Sequence, residues 1–177
     1  MTHKNAAVET VTIALGIDYG QAYLLDDSCE GDIPDHLERE DSAHPLGTIN
    51  VADGAALLMI ATHYGTVPFV VQVAQSEPAP ALDAYEDIVE ISFSAQAGKI
   101  SLHEWGDEAI HELPPLPAGP GWYRLRHHVY GLDEGHAEYR EDDAPDRYLL
   151  QIWPADESAP SIVKSTSSRH RRWTQAG

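Results

Sequence analysis

The chain has 177 residues, of which 42% are hydrophobic, and its 29 Asp and Glu outweigh 11 Lys and Arg to give a formal net charge of -18 at pH 7. This length fits a single domain with its own core. No apolar run approaches the roughly 18 residues that a membrane-spanning helix requires. So acidic a chain repels a phosphate backbone and attracts basic partners, which excludes non-specific nucleic-acid binding by its body.

Positive charge is concentrated near the C-terminal end of the chain. All 29 acids precede residue 163, and four of the eleven basic residues follow it: Lys164, Arg169, Arg171 and Arg172. We predict one β domain over residues 1–166 and a flexible basic tail over residues 167–177, because the last segment is polar and basic. Next to an acidic body, this tail is expected to fold back onto acids or stay free rather than bind nucleic acid.

Cys29 is the single cysteine, so no intrachain disulfide can form, which fits a reducing compartment. The apolar run at 11–15 is too short for a signal peptide. We therefore expect a cytoplasmic protein. The acids around Cys29 raise the pKa expected for its thiol, which makes it a poor nucleophile.

Short apolar runs, many of them alternating with polar residues, are typical of strands in an antiparallel sheet. The predicted strands are 8–15, 21–25, 48–52, 55–62, 66–74, 85–93, 99–105, a weak one that ends at Leu113, 122–130, 147–153 and 161–165. With about ten short strands and little helix, the sequence predicts an all-β, mostly antiparallel sandwich. Each sheet is expected to have one buried and one solvent-exposed face.

Local signals refine this layout. Asp53-Gly54 predicts a tight hairpin turn. Pro68 lacks an N–H, which predicts that its strand lies at an edge or begins there. Residues 34–40 predict a short helical turn with Asp32 as its cap. Residues 26–47 and 131–146 lose the strand pattern and are predicted to be long acidic loops.

The two acidic loops are the first candidate site. Residues 26–41 hold eight acids against Arg39, and residues 133–146 hold seven against Arg140. Because exposed acids steer a basic protein toward its complex, these loops are predicted to bind the partner. The candidate residues are Asp26, Asp27, Asp32, Asp35, Asp142 and Asp143. The start of the first loop resembles an EF-hand, but its twelfth position is Leu37, so we interpret it as a solvated loop.

The strand at 122–130 offers a second candidate site. Alternate residues share one face of this strand, namely Trp122, Arg124, Arg126, His128 and Tyr130. Aromatic and Arg side chains of this kind could line a cleft for an anion or a sugar. They are equally compatible with a solvated sheet face whose Arg side chains pair with neighbouring acids.

Catalytic and metal signatures are missing from the sequence. No G-x-S-x-G elbow and no phosphate-binding glycine loop occur, so we predict no catalytic residue and no cofactor. The chain has ten His, but the adjacent His127 and His128 face opposite sides of a strand. The other histidines show no ligand spacing, so we predict no metal site, although ligands from distant strands could still converge.

The sequences PAGPGWYRLR at 117–126 and YLLQIWPA at 148–155 carry a resemblance to a family. They resemble a family of small uncharacterised actinobacterial β proteins with a P-x-G-x-Y-R-L-R strand followed by Y-L-L-Q-I-W-P. The likeness takes in most of residues 10–166, and it implies a layout without a mechanism. The strand order and the late Y-x-L strand are also similar to those of competence protein J, an acidic β protein that inhibits a nuclease.

Two functions from different classes follow from the sequence. The first is a non-enzymatic acidic interaction protein, inhibitor-like or immunity-like, that binds a basic protein partner. The alternative is a small-molecule-binding β module or enzyme whose cleft is lined by Trp, Arg and His. The charge favours the first, and the face of the strand at 122–130 is the evidence for the second. The sequence leaves the oligomeric state open.

Overall fold

A computed structural model describes residues 7–37, 45–135 and 144–175 of the chain. About half of these residues lie in strands and a tenth in helices, which confirms the all-β prediction. The strands are β1 (Val8–Ile17), β2 (Gln21–Asp26), β3 (Ile49–Ala52), β4 (Ala55–Met59), β5 (Gly65–Ala74), β6 (Asp87–Ala95), β7 (Ile100–Glu104), β8 (Ile110–Glu112), β9 (Gly121–Tyr130), β10 (Arg147–Pro154) and β11 (Ser161–Ser165). Short 3₁₀ turns cover Asp27–Cys29, Asp35–Leu37 and Trp105–Asp107, and α1 covers Ser168–Gln175.

The strands form two packed sheets. The six-stranded sheet has the order β1-β5-β10-β9-β6-β11, and the five-stranded sheet has the order β3-β4-β2-β7-β8. All pairs are antiparallel except β5 with β10. The inner faces of both sheets meet in one apolar core, whose largest fully buried side chains include Phe69, Phe93, Tyr123 and Tyr148.

The turns show which local signals determined the layout. Asp53-Gly54 connects β3 to β4 in register, which confirms the predicted hairpin. Gly54 has a φ of +72°, in the left-handed region that favours glycine. A Cβ there would also lie 2.9 Å from the Cys29 sulfur. Pro68 lies in β5, an inner strand, but the pairing of β5 with β10 begins only at Phe69. The prediction of an edge strand was therefore wrong, although Pro68 itself precedes the pairing on that side.

The outer faces of the sheets differ from the prediction of a solvated side. In β9 every residue from Tyr123 to Val129 is buried, on both faces. Residues 76–86 and 155–160 cross the outer face of the six-stranded sheet, and their carbonyl groups accept hydrogen bonds from β9 side chains. On the five-stranded sheet, Leu37 and Trp173 pack over a second apolar cluster around Tyr23 and Leu57. Loops thus cover the outer face of the six-stranded sheet, and a 3₁₀ turn and α1 cover that of the five-stranded sheet.

The C-terminal segment is a helix where the sequence predicted a flexible tail. The backbone N–H groups of Ser168 and Arg169 donate to the Asp133 carboxylate, which caps the first turn of α1. His170 is fully buried, and its Nε2 lies 2.8 Å from the Leu46 carbonyl oxygen. Its Nδ1 lies 2.7 Å from the Ser165 hydroxyl. These contacts fasten α1 to the body through residue 175.

Candidate functional site

Five hydrogen bonds end on the carboxylate of Asp26, where β2 leaves its sheet. Ser28 donates through its backbone N–H and its hydroxyl, and the N–H groups of Gln96, Ala97 and Gly98 donate at 2.8–3.0 Å. Burial raises the pKa of Asp26, but the hydrogen bonds from Ser28 and from the backbone outweigh it and keep the pKa below its ordinary value. Asp26 is only 1% exposed. Asp26 therefore joins the 3₁₀ turn that follows β2 to the turn that follows β6. The prediction that Asp26 lies on an exposed surface was wrong.

The remaining acids of the first loop are on the surface. The exposed candidates are Asp27, Asp32 and Asp35. The Asp27 carboxylate lies 3.5 Å from the Lys99 ammonium, an exposed ion pair that contributes little to stability. The other two predicted residues, Asp142 and Asp143, lie outside the described residues.

The two acidic loops are attached at opposite ends of the sandwich. At one end, Asp26 lies where β6 ends and β9 begins. At the other end, Asp146 lies where β9 ends and β10 begins, and its carboxylate accepts from the N–H and hydroxyl of Thr62 at 3.0 and 2.6 Å. The points of attachment are therefore separated by the full length of β9. The described parts of the two acidic loops therefore do not share one patch.

Arg124, from the predicted ligand face, binds the chain's own backbone. It is 6% exposed, and its guanidinium donates to the carbonyl oxygens of Ser158 and Ala159 at 3.1 and 2.8 Å. It also donates to the Ser92 hydroxyl and to Glu90. The planar fork of arginine suits several acceptors at once, so this side chain fixes the 155–160 segment on the outer face.

Arg126 does the same for the 76–86 segment. It is 2% exposed and donates to Glu90 at 2.6 Å, to the carbonyl oxygen of Pro78 at 2.6 Å and to Glu77 at 2.6 Å. Its guanidinium carbon lies 4.6 Å from the centre of the Trp153 ring, a cation–π contact. Two buried arginines thus lie on adjacent positions of one face with Glu90 between them.

His128 is also buried, and the remaining members of the predicted ligand face are partly exposed. The N–H of Ala81 donates to His128 Nε2 at 3.2 Å, and Nδ1 lies 3.1 Å from the Leu149 carbonyl oxygen. Tyr130 is 37% exposed, with the Arg147 guanidinium 3.7 Å from its ring centre. Trp122 is 41% exposed. The face predicted for a ligand is therefore occupied at its centre by the chain's own loops.

A cluster of aromatic side chains, which we call the aromatic corner, lies at the same end of the sandwich as Asp146. It consists of Tyr19, His63, Tyr64 and Trp105. The ring centres of Tyr19 and Trp105 are 4.6 Å apart, those of Tyr19 and Tyr64 are 5.3 Å apart, and those of His63 and Tyr64 are 4.5 Å apart. Tyr19 is 45% exposed and Trp105 is 39% exposed. Exposed groups of large aromatic residues are typical of interaction surfaces.

Sequence reasoning missed the aromatic corner because its members come from three separate segments. They meet because the turn between β1 and β2 crosses from one sheet to the other beside the connection from β4 to β5. The N–H of Gly20 donates to the carbonyl oxygen of His63 and joins these two crossings. The usable signal was an aromatic residue before a glycine in a predicted turn, at Tyr19-Gly20.

Two shallow pockets are present elsewhere. One, of about 340 Å³, lies on the outer face of the five-stranded sheet and includes Ser101 and His103, whose Oγ and Nε2 are 2.8 Å apart. These two residues are neighbours on one face of β7, which accounts for their contact. The other pocket, of about 260 Å³, is lined by Trp122, Ser92 and Glu157 among others. Trp122 thus combines an exposed ring with a concave surface.

The described residues show neither a metal-ligand cluster nor an activated thiol. Within the described residues, no group of three or more His, Cys, Asp or Glu side chains is arranged to hold a metal ion. The absence of a metal stays a prediction for elemental analysis. Burial raises the pKa of Cys29, and the nearby Asp26 charge adds to this effect, so its thiol is a weak nucleophile. No helix in the described ranges is long and apolar enough to span a membrane.

The chain is thus an all-β protein of two packed sheets, and the exposed candidate surfaces among its described residues are the first acidic loop and an aromatic corner. No protein-family model matches it, and no curated protein does so either. Two solved structures share its fold. One is ComJ from Bacillus subtilis, described as an inhibitor of the DNA degrading activity of NucA, with 18% identity over 85% of this chain and all of ComJ, at a TM-score of 0.59.

The second similar structure is described as crocagin biosynthetic gene J, with 18% identity over 84% of this chain and 98% of that one, at a TM-score of 0.53. At such identity the likeness shows the fold alone. It confirms the resemblance in layout to competence protein J. Membership of the actinobacterial family stays a prediction.

Proposed function

We propose that this chain is a non-enzymatic, inhibitor-like protein that binds a basic protein partner. The observation that carries the proposal is its net charge of -18 on a fold shared with a nuclease inhibitor. An acidic surface accelerates association with a basic target and disfavours acidic competitors. A nuclease is the first class of partner to test, because ComJ is described as an inhibitor of the DNA degrading activity of NucA.

The exposed acids of the first loop support this role. Asp27, Asp32 and Asp35 are exposed. Exposed charges act on an approaching protein over about 8 Å at physiological salt. The same charges repel one another in the folded state, so their density adds nothing to stability. A function in association explains their presence better than a function in folding does.

The proposal is tested by capturing a partner on the immobilised chain at low salt and measuring its association rate constant. Exchange of Asp27, Asp32 and Asp35 for Asn is expected to slow association about three- to tenfold at low salt, with less effect at high salt. Glu9→Gln on β1, at the far edge of the six-stranded sheet, is a matched control that removes an exposed acid. A partner whose association rate ignores both salt and these substitutions would contradict the proposal.

Small-molecule binding is a second candidate function, favoured by the pocket at Trp122. Its volume of about 260 Å³ is near the lower end for ligand sites. A small ligand there would stack on the exposed Trp122 ring. The test is a ligand screen by thermal shift with Trp122→Ala as the negative variant. A ligand that stabilises the wild type and the variant equally would exclude this pocket.

A further inference from the structure

We propose that the aromatic corner is the surface on which an Arg or Lys side chain of the basic partner docks. This inference rests on the proposed function and adds a contact at the Asp146 end of the sandwich to the exposed acids of the first loop at the other end. Tyr and Trp are the residues that dominate binding energy at interfaces, because they present a large rigid area at low entropic cost. Their ring faces also attract cations. The aromatic corner presents a Tyr ring and a Trp ring to solvent, with Tyr19 45% and Trp105 39% exposed.

The backbone at Tyr19 has a conformation that tyrosine rarely adopts. Tyr19 has a φ of +58° and Gly20 a φ of +65°, in a two-residue turn closed by the bridge between Asp18 and Gln21. Consecutive positive φ values belong to the turn type that favours Asn-Gly or Asp-Gly. A tyrosine in this region is uncommon and strained. Such strain, held on an exposed ring, is typical of a functional position.

Charge around the aromatic corner fits a cationic side chain. No Lys or Arg occurs between Lys4 and Arg39, between Arg39 and Lys99, or between Lys99 and Arg124, so each segment of the corner is free of basic residues. Acids accompany the rings instead. Asp18 precedes Tyr19, and the exposed Glu108 follows Trp105 by three residues.

The corner also rests on a rigid base. The Glu104 carboxylate accepts from the N–H of Gly16 at 2.8 Å and lies 3.0 Å from His111 Nε2, which joins β1, β7 and β8 just below the rings. A Cβ at Gly16 would lie 2.6 Å from a Glu104 carboxylate oxygen, so a larger residue there would displace this carboxylate. A preorganised surface loses little entropy when a partner binds.

The test uses nona-arginine as the probe, followed through the indole N–H signals of the four tryptophans in an NMR titration of the whole chain. The Trp105 signal is expected to shift, whereas that of the buried Trp153 is not. Tyr19→Asn and Trp105→Ala together are expected to weaken binding about four- to twenty-fivefold, at about two- to fivefold per ring. Trp122→Ala, which removes an equally exposed ring elsewhere, is the matched control and should bind like the wild type.

Tyr19→Asn separates binding from folding. Asparagine is favoured at this position of the turn, so the variant should have an unchanged or higher melting temperature while it loses affinity. If nona-arginine binds the wild type and the double variant equally, docking at the aromatic corner is excluded and the proposed function stands. If the wild type does not bind nona-arginine at low salt, both are wrong. If the corner proves to hold a second copy of this chain, shown by a dimer that Tyr19→Asn dissociates, the basic partner is excluded from it.

Discussion

Two adjacent histidines of β9 should make the fold sensitive to mild acid. His127 is fully buried, and its ring packs beside those of Phe69 and Tyr148, with centres 6.3 and 5.7 Å away. No hydrogen bond of ordinary geometry reaches its ring nitrogens from the described residues, although the Thr48 backbone weakly favours its protonation. Burial, with a smaller contribution from His128, lowers the pKa of His127 to about 3.

His128 is held neutral by a hydrogen bond that needs its lone pair. The N–H of Ala81 donates to Nε2, so protonation of that nitrogen breaks the contact with the 76–86 segment. Burial lowers the pKa of His128 to about 4, and the nearby Arg126 charge contributes, although the Leu149 carbonyl opposes it. Both pKa values lie below the unfolded value of about 6.5. The stability that depends on neutral rings is therefore complete above pH 6.5 and is lost as the pH falls toward 4 and 3.

The loss of unfolding free energy follows from the difference between the folded and unfolded pKa values of each histidine. At pH 4.5 each histidine lies about two pH units below its unfolded pKa, so each costs about 2 to 3 kcal/mol and the pair about 5 kcal/mol. That is comparable with the whole free energy of unfolding of an ordinary domain, about 5 to 15 kcal/mol. Urea unfolding between pH 7.5 and 4.5 measures it. Carboxylates with a lowered pKa, such as Asp26, stay ionised across this window.

His127→Phe tests the assignment, because it keeps a ring beside Phe69 and Tyr148 and removes the titrating group. The variant should lose about half of the pH dependence and should be more stable than the wild type at pH 4.5. His63→Phe, at a half-buried position of the aromatic corner, controls for the loss of an imidazole outside β9. If the unfolding free energies of His127→Phe and of the wild type fall in parallel between pH 7.5 and 4.5, the reasoning is refuted.

Three further predictions concern the buried carboxylate of Asp26, the thiol of Cys29 and the buried ring of His170. Asp26→Asn should lower the free energy of unfolding by about 2 to 4 kcal/mol, measured by urea denaturation, because hydrogen bonds to a buried carboxylate are lost; Asp32→Asn, at the surface, should change it by less than about 0.5 kcal/mol. Cys29 should react with iodoacetamide at pH 7.5 about tenfold more slowly than glutathione does, and an equal rate would contradict its raised pKa. His170→Ala should accelerate tryptic cleavage within α1 at least about fivefold, and an unchanged rate would mean that His170 does not fasten the helix.

The strands could be predicted because their patterns are local. In β5 the alternation from Val67 to Val73 is visible in the sequence, and the structure buries those residues. Asp53-Gly54 determines its hairpin through the φ that glycine permits. In contrast, the alternation of β9 predicted a solvated face, since Arg and His are usually exposed. The structure buries them because backbone carbonyl groups of distant loops supply their hydrogen-bond partners, and a strand pattern carries no information about those loops.

The candidate surfaces were harder to predict for the same reason. Asp26 was grouped with exposed acids by composition, whereas the Asp-x-Ser pattern with Ser28 was the sign of a capping residue. Helix α1 has no apolar stripe, and its position depends on the burial of His170 and on the cap from Asp133. The aromatic corner depends on the meeting of two chain crossings. Each case turns on contacts between residues far apart in the sequence.

The central claim is that acidity serves association with a basic protein. The most direct measurement is the association rate constant of the captured partner with this chain by stopped-flow fluorescence, from about 50 to 500 mM salt. Electrostatic steering predicts a fall of at least about tenfold across this range, while the dissociation rate changes little. An association rate that is the same at both ends of the range, with a partner bound, would contradict the claim and would leave the charge a role in solubility only.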